Sequence, residues 1–160
     1  VPLFVALRAF DSLDAYQQFR GSFQPNPQLG QKLPTLLSAA PSSEMWEIPG
    51  AGLSGPVARF TVRFTYYPAQ GKLAELQQAI QGRVNAVVAA GSRTSLWLLV
   101  SGGPNAIASV TGFDRLADIE QVRARNLADP AARAYSQSLN ALLAAPVESP
   151  DTFEILTQAT

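Results

Sequence analysis

The sequence contains neither cysteine nor histidine, and its only methionine is Met45. Without cysteine there can be no disulfide, no thiolate zinc or iron–sulfur site and no cysteine nucleophile. Without histidine the chain cannot supply an axial haem ligand, a histidine-based metal site or a Ser-His-Asp triad. We therefore expect no metal and no cofactor, and the sequence leaves open whether the chain is an enzyme.

Excess charge and long apolar runs are also missing. Twelve basic residues balance twelve acidic ones, and like charges do not cluster, so neither nucleic acid nor an anionic membrane is an expected partner. The longest apolar runs, such as residues 1–7, and shorter ones such as 96–100, fall far below the roughly eighteen residues that span a bilayer. We expect a soluble globular protein without membrane insertion, with the cytoplasm slightly favoured over the periplasm.

Residues 57–67 carry the clearest pattern of the sequence. Four apolar residues alternate with four polar ones, at the period of two that indicates a β-strand with one apolar face. Because this strand should open a split β-α-β unit, we expect it to be an inner strand with a neighbour on each side. The alternating residues are Phe60, Val62, Phe64 and Tyr66 against Arg59, Thr61, Arg63 and Thr65.

The remaining elements follow in a recognisable order. Apolar residues at helical spacing predict a helix over residues 72–90, ended by Gly91. Strands are predicted over 95–100 and 106–111, a second helix from Leu116 that is interrupted at Asp129-Pro130, and a final strand over 152–156. The order β-α-β-β-α-β is that of an α+β, ferredoxin-like split β-α-β module with an antiparallel sheet.

The segment before this module repeats its second half. Residues 10–13 match residues 113–116 at an offset of 103, and Asn26-Pro27 meets Asp129-Pro130 at the same offset. Farther on, residues 36–41 match 142–146 and residues 46–48 match 153–155, with an offset that drifts by a few residues. Residues 1–50 therefore read as the second half of an earlier copy, 51–57 as a linker, and 58–157 as a complete module, giving one and a half tandem copies.

An isolated half module would leave strands without neighbours. We expect the native protein to be longer at its start by about fifty residues, the first half of the earlier copy. Until that segment is present, the strands of the half module need a partner from the missing segment, from another subunit or from the second module. We expect the first of these. We also expect the two Asn/Asp-Pro helix breaks to superpose.

The complete module resembles a known family over roughly residues 58–156. In sequence it is similar to the NIPSNAP-like branch of the dimeric α/β-barrel superfamily. The matching residues are Tyr67-Pro68-Ala69-Gln70-Gly71-Lys72-Leu73-Ala74-Glu75-Leu76, Leu96-Trp97, Gly103, Asn105, Phe113, Leu116, Arg123 and Asp129-Pro130.

This resemblance implies a fold and no particular chemistry. In the superfamily, two ferredoxin-like modules pair their sheets into a barrel, as a homodimer or as tandem copies in one chain. Haem-degrading, chlorite-dismutating, peroxidase and lactone-isomerising members rely on histidine, which this chain lacks. The resemblance still allows a cofactor-free monooxygenase, but the NIPSNAP-like branch carries no well-established catalytic residues that could be transferred to this sequence.

Five residues are candidates for a ligand site in the barrel lumen, on the sheet face away from the helices. Arginines there could clamp a carboxylate or phosphate, although pairing with carboxylates of the protein is the commoner role. A tryptophan or tyrosine could stack on a flat ligand, although most such side chains fill volume at an interface. Trp46 could stack on a ligand in the same way. The candidates are Arg8, Arg59, Arg63, Tyr67 and Trp97.

Two functions from different classes fit these observations. The first is a non-catalytic structural or interaction module, which mediates self-association or docking onto a larger protein assembly. The second is a protein that binds or transforms a small anionic or aromatic molecule in the lumen. We favour the first, because the chain has no histidine, no cysteine and no close carboxylate pair on a strand for acid–base or nucleophilic chemistry.

Overall fold

The computed structural model describes residue 6 and residues 8–22, 27–28, 31–32, 43–49, 58–147 and 149–155. The chain divides into two compact units, Val1–Ser42 and Ser43–Thr160.

The first unit contains helix α1, Leu13–Ser22. Ser12 caps its start, since the Ser12 hydroxyl accepts a hydrogen bond of 3.1 Å from the backbone N–H of Ala15. The Arg8 guanidinium lies 4.0 Å from the centre of the Phe19 ring and 5.6 Å from that of Phe10. Of residues 1–7, which the repeat places at the start of the half module, only Ala6 is among the described residues.

The second unit contains every element predicted for the complete module. Its helices are α2, Leu73–Ala89, α3, Leu116–Ala128, and α4, Pro130–Asn140. Its strands are β1, Met45–Glu47, β2, Phe60–Tyr66, β3, Thr94–Ser101, β4, Ile107–Phe113, and β5, Asp151–Glu154. All five strands form one antiparallel sheet in the order β1-β3-β4-β2-β5, and the last four have the strand order of a ferredoxin-like module.

The prediction of an inner strand within residues 57–67 is confirmed for Phe60–Tyr66. Strand β2 pairs with β4 along its whole length and with β5 from Phe60 to Arg63. The predicted helix break at Asp129-Pro130 is also confirmed: the Asp129 carboxylate accepts a hydrogen bond of 2.9 Å from Ala131 N–H and caps α4. Its counterpart Asn26 lies outside the described residues, so the superposition of the two breaks stays a prediction.

One face of the sheet carries the hydrophobic core. Helices α2 and α4 pack on this face, and Tyr66, Leu98 and Tyr135 surround its most buried part. Gly91 ends α2 with a φ of +89°, a conformation that costs other residues free energy. No helix among the described ranges has the length and apolar character needed to cross a membrane. The buried cluster consists of Leu76, Ile80, Val84, Leu96, Ile107 and Leu139.

Strand β1 forms one edge of this sheet. Trp46 and Glu47 pair with Leu99 and Leu98 of β3, and the register shifts between Met45 and Trp46. The repeat assigns β1 to the earlier copy, and we expected its partner in a missing segment. That expectation concerns the other edge of β1 and stays a prediction, because the edge that β3 occupies is the one equivalent to the outer edge of β5. An available strand edge gains hydrogen bonds from whichever strand reaches it.

Candidate functional site

The candidate site lies on the sheet face opposite α2 and α4. The antiparallel register places Ser95, Val110, Arg63 and Asp151 in one row across β3, β4, β2 and β5. The small side chains of the central strands are buried here, with Val110 only 3% and Ala108 0% exposed. On this face, small buried residues line the central strands, and larger side chains cover them.

Arg63 is the central charged group of this face. Its Nε and Nη2 atoms donate hydrogen bonds of 3.2 and 2.9 Å to Asp151 Oδ2, and its Nη1 lies 3.5 Å from Glu44 Oε2. The guanidinium also lies 6.0 Å from the Trp46 ring and 5.5 Å from the Phe153 ring, within the range of cation–π attraction. Two carboxylates and two aromatic rings thus surround one guanidinium.

These contacts reach across most of the sheet. Trp46 lies on β1 and Asp151 on β5, which are the opposite edges of the sheet, and Arg63 lies on β2. Strand β5 is the direct neighbour of β2, whereas β1 is three strand spacings away, roughly 14 Å at about 4.8 Å per neighbouring pair. The long side chains of Arg63, Glu44 and Trp46 span that distance above the small residues of the central strands.

The sequence match between the two segments also pairs the groups around Arg63. Trp46 and Phe153 occupy equivalent positions in the matched segments, and Glu44 and Asp151 each lie two residues before them. Each repeat-related segment therefore contributes one carboxylate and one aromatic ring to Arg63. Glu44 Oε2 also accepts a hydrogen bond of 3.0 Å from Trp46 Nε1, which fixes the carboxylate beside the ring.

The other predicted site residues lie apart from this cluster. Arg59, whose side chain is 66% exposed, pairs with Glu154 at 2.9 Å. Trp97 lies on the same face as Arg63, half-buried, and donates a hydrogen bond of 2.7 Å to the Ser95 hydroxyl. Tyr67 is exposed, and Arg8 belongs to the first unit. The described contacts of Arg63 include none of these four, and ligand binding by the set stays a prediction.

Sequence reasoning did not select three of the residues that meet Arg63, namely Glu44, Asp151 and Phe153. The repeat could have pointed to them, because it aligns Trp46 with Phe153 and so also Glu44 with Asp151. The described residues contain no group of three or more acidic side chains placed to hold a metal ion. What this arrangement can do chemically is to join two strand segments, since arginine stays protonated in proteins and its charge is matched by carboxylates.

Two tyrosines on the opposite face of the sheet have raised pKa values. Burial raises the pKa of Tyr66, although a hydrogen bond with Ser109 and the Arg83 charge oppose the shift. Burial, with a smaller effect of Tyr66, raises the pKa of Tyr135 to about 12. The Arg83 guanidinium lies 5.7 Å from the centre of the Tyr135 ring. Both hydroxyls border the core and are neutral at physiological pH.

Strand order and helix placement define the class of the second unit, an α+β, ferredoxin-like module. Within that class the chain has a NIPSNAP-like fold. It is similar to a crystal structure of an uncharacterized NIPSNAP domain protein from Burkholderia xenovorans, with 20% sequence identity and a TM-score of 0.50, covering 62% of this chain and 95% of that one. At this identity the similarity establishes the fold alone. No protein-family model matches the sequence, and no curated protein does.

Proposed function

We propose that this chain is a non-catalytic interaction module, in which NIPSNAP-like modules join through the edges of their sheets into a barrel-type arrangement. Its role is self-association or docking onto a larger protein assembly. The observation that carries the proposal is the convergence on Arg63 of two repeat-related segments, one at each edge of the sheet.

The convergence supports a joint between modules for a structural reason. The repeat assigns β1 to an earlier copy, and β1 extends the sheet of the complete module. A strand from one module that pairs with the edge of another supplies backbone hydrogen bonds, while side chains fix the register. Glu44 and Asp151 neutralise Arg63 from the two sides and so hold both segments to one residue.

The same contacts favour this role over binding of a small anion. An anionic ligand at Arg63 would have to displace Asp151, whose carboxylate already accepts two hydrogen bonds from the guanidinium. It would also bring a third negative charge close to Glu44 and Asp151, which costs free energy in a partly buried place. Arg59 is likewise paired with Glu154.

Strand β5 presents the edge at which a further strand is expected. The N–H of Ile155 donates to the Arg59 carbonyl, so the alternation of a β-strand directs the N–H groups of Thr152 and Glu154 away from β2. In the repeat, this outer edge corresponds to the edge by which β1 pairs with β3. No described strand pairs with it.

Proline at position 152 tests the proposal. Thr152→Pro removes an outward N–H and leaves the ladder between β5 and β2 intact, and proline is tolerated at strand edges. The matched control is Thr152→Val, which keeps the N–H. We expect sedimentation velocity to show concentration-dependent association for the wild type and the control, and weaker association for the proline variant. Equal association of all three proteins, with unchanged circular dichroism, would contradict the proposal.

A further inference from the structure

Helix α3 carries an exposed stripe with a leucine at each end and two charged residues between them. Leu116, Glu120, Arg123 and Leu127 are four, three and four residues apart, so they line up along one side of the helix. All four are exposed, with Leu116 at 55% and Leu127 at 67%. Ile119 and Val122, which are half-buried, lie on the side that faces the rest of the module. The stripe is therefore a free surface with two apolar ends.

The two charged residues of the stripe have no ion-pair partner among the described residues. Arg59, Arg63, Arg93 and Arg115 each have a carboxylate within 4.0 Å, whereas neither Glu120 nor Arg123 takes part in a salt bridge. A carboxylate and a guanidinium that lie side by side without pairing can each bind a group on another molecule.

The order of the residues makes the stripe complementary to itself. Leu116 and Leu127 lie at equal distances from the midpoint between residues 121 and 122, and so do Glu120 and Arg123. When two copies of α3 pack antiparallel about a two-fold axis at that midpoint, each leucine meets the opposite leucine. Each Glu120 then meets Arg123 of the second copy. A two-fold interface needs this kind of self-complementary patch.

We propose that the stripe Leu116, Glu120, Arg123 and Leu127 is a homodimer surface, and that its partner is the same helix of a second copy in antiparallel orientation. Helix α3 has 13 residues and is roughly 20 Å long. An interface of one such helix is smaller than the standard size of about 800 Å² per partner. The dimer is therefore weak and concentration-dependent. The surface is separate from the sheet edge of the proposed function and does not depend on it.

Charge reversal tests this pairing on the full chain, with Thr152→Pro present so that the β5 edge is blocked. Glu120→Arg alone places arginines opposite one another, and Arg123→Glu alone places glutamates opposite one another. We expect each single variant to weaken the dimer at least about tenfold in sedimentation equilibrium. The double variant restores complementary pairs, and its dissociation constant should return to within about threefold of the unsubstituted stripe.

Mixing the two single variants gives a second readout that a folding defect cannot imitate. One helix then carries two arginines and the other two glutamates, so both cross-helix pairs are complementary. We expect the mixture to form a heterodimer that neither variant forms with itself. Arg125→Glu, an exposed change on α3 outside the stripe, is the control and should leave the dimer unchanged. A monomer at every concentration, no effect of the single reversals, or no heterodimer on mixing would overturn the proposal.

Discussion

Arg63 and Asp151 occupy directly opposed positions on β2 and β5, and the guanidinium donates two hydrogen bonds, of 3.2 and 2.9 Å, to one carboxylate oxygen of Asp151. The same guanidinium reaches Glu44 at 3.5 Å, near the far edge of the sheet. A single side chain thus contacts groups from both edges of the sheet.

Replacing Arg63 should therefore lower the free energy of unfolding more than replacing a surface arginine does. The Arg63 side chain is 22% exposed, and Arg63→Ala leaves two carboxylates close together without their cation. We expect the free energy of unfolding in urea to fall by about 1–2 kcal/mol, between the values for exposed and buried pairs. Arg59→Ala is the matched control, since that side chain is 66% exposed, and its loss should be within about 0.5 kcal/mol. Equal losses in the two variants would contradict the central role of Arg63.

Gly102 should be required for the attachment of β1. Its φ is +102°, and a Cβ there would overlap the Ser43 carbonyl oxygen and lie 2.9 Å from Glu44 Cα. We expect Gly102→Ala to lower the free energy of unfolding by about 1–3 kcal/mol and to release residues 43–49 from β3. Trp46 fluorescence in a Trp97→Phe background reports that release. Gly103→Ala should have little effect, because its Cβ would meet only a movable Leu99 methyl at 3.3 Å.

Stability should fall in alkaline solution through the tyrosines beside the core. Folding raises the pKa of Tyr135 from 10.0 to about 12, so the folded state favours the neutral hydroxyl. This contribution is fully present below pH 10 and is lost as the pH rises toward 12. We expect the wild type to lose more stability than Tyr135→Phe over that interval, measured by urea unfolding at each pH. Parallel pH profiles of the two proteins would show that Tyr135 does not titrate as expected.

Small aromatic acids should not bind at Arg63. The guanidinium already pairs with Asp151 and Glu44, so we expect millimolar benzoate or phenylphosphonate to leave the melting temperature within about 1 °C of its value in buffer. A rise of several degrees that disappears in Arg63→Ala would favour the alternative function, a lumen site for anionic or aromatic molecules.

Much of the fold could be predicted because its signals are local. The alternation in β2, the helical spacing of α2 and the proline that starts α4 each depend on residues close together in sequence. The site was harder to predict, because Arg63 and Asp151 are 88 residues apart. Which carboxylate meets a guanidinium depends on strand order and register, and neither is encoded in a short pattern.

The pairing of β1 was also beyond prediction from the sequence, because it too depends on a distant part of the chain. The repeat identified residues 46–48 as a strand, in agreement with β1. It could not indicate that β3 would be its partner, because strand edges accept any chain that reaches them. The alignment of Trp46 with Phe153 did pair the two rings that lie beside Arg63. The sequence alone could not show that both rings contact this one residue.

The most direct test of the central claim, that the sheet edge joins modules, is hydrogen exchange at the two outward amides of β5. Thr152 and Glu154 can be followed by NMR at low and high protein concentration, with the amide of Phe153, which the alternation directs toward β2, as an internal reference. The account predicts slower exchange at Thr152 and Glu154 as the concentration rises, with little change at Phe153. Rates at Thr152 and Glu154 that do not depend on concentration would contradict it.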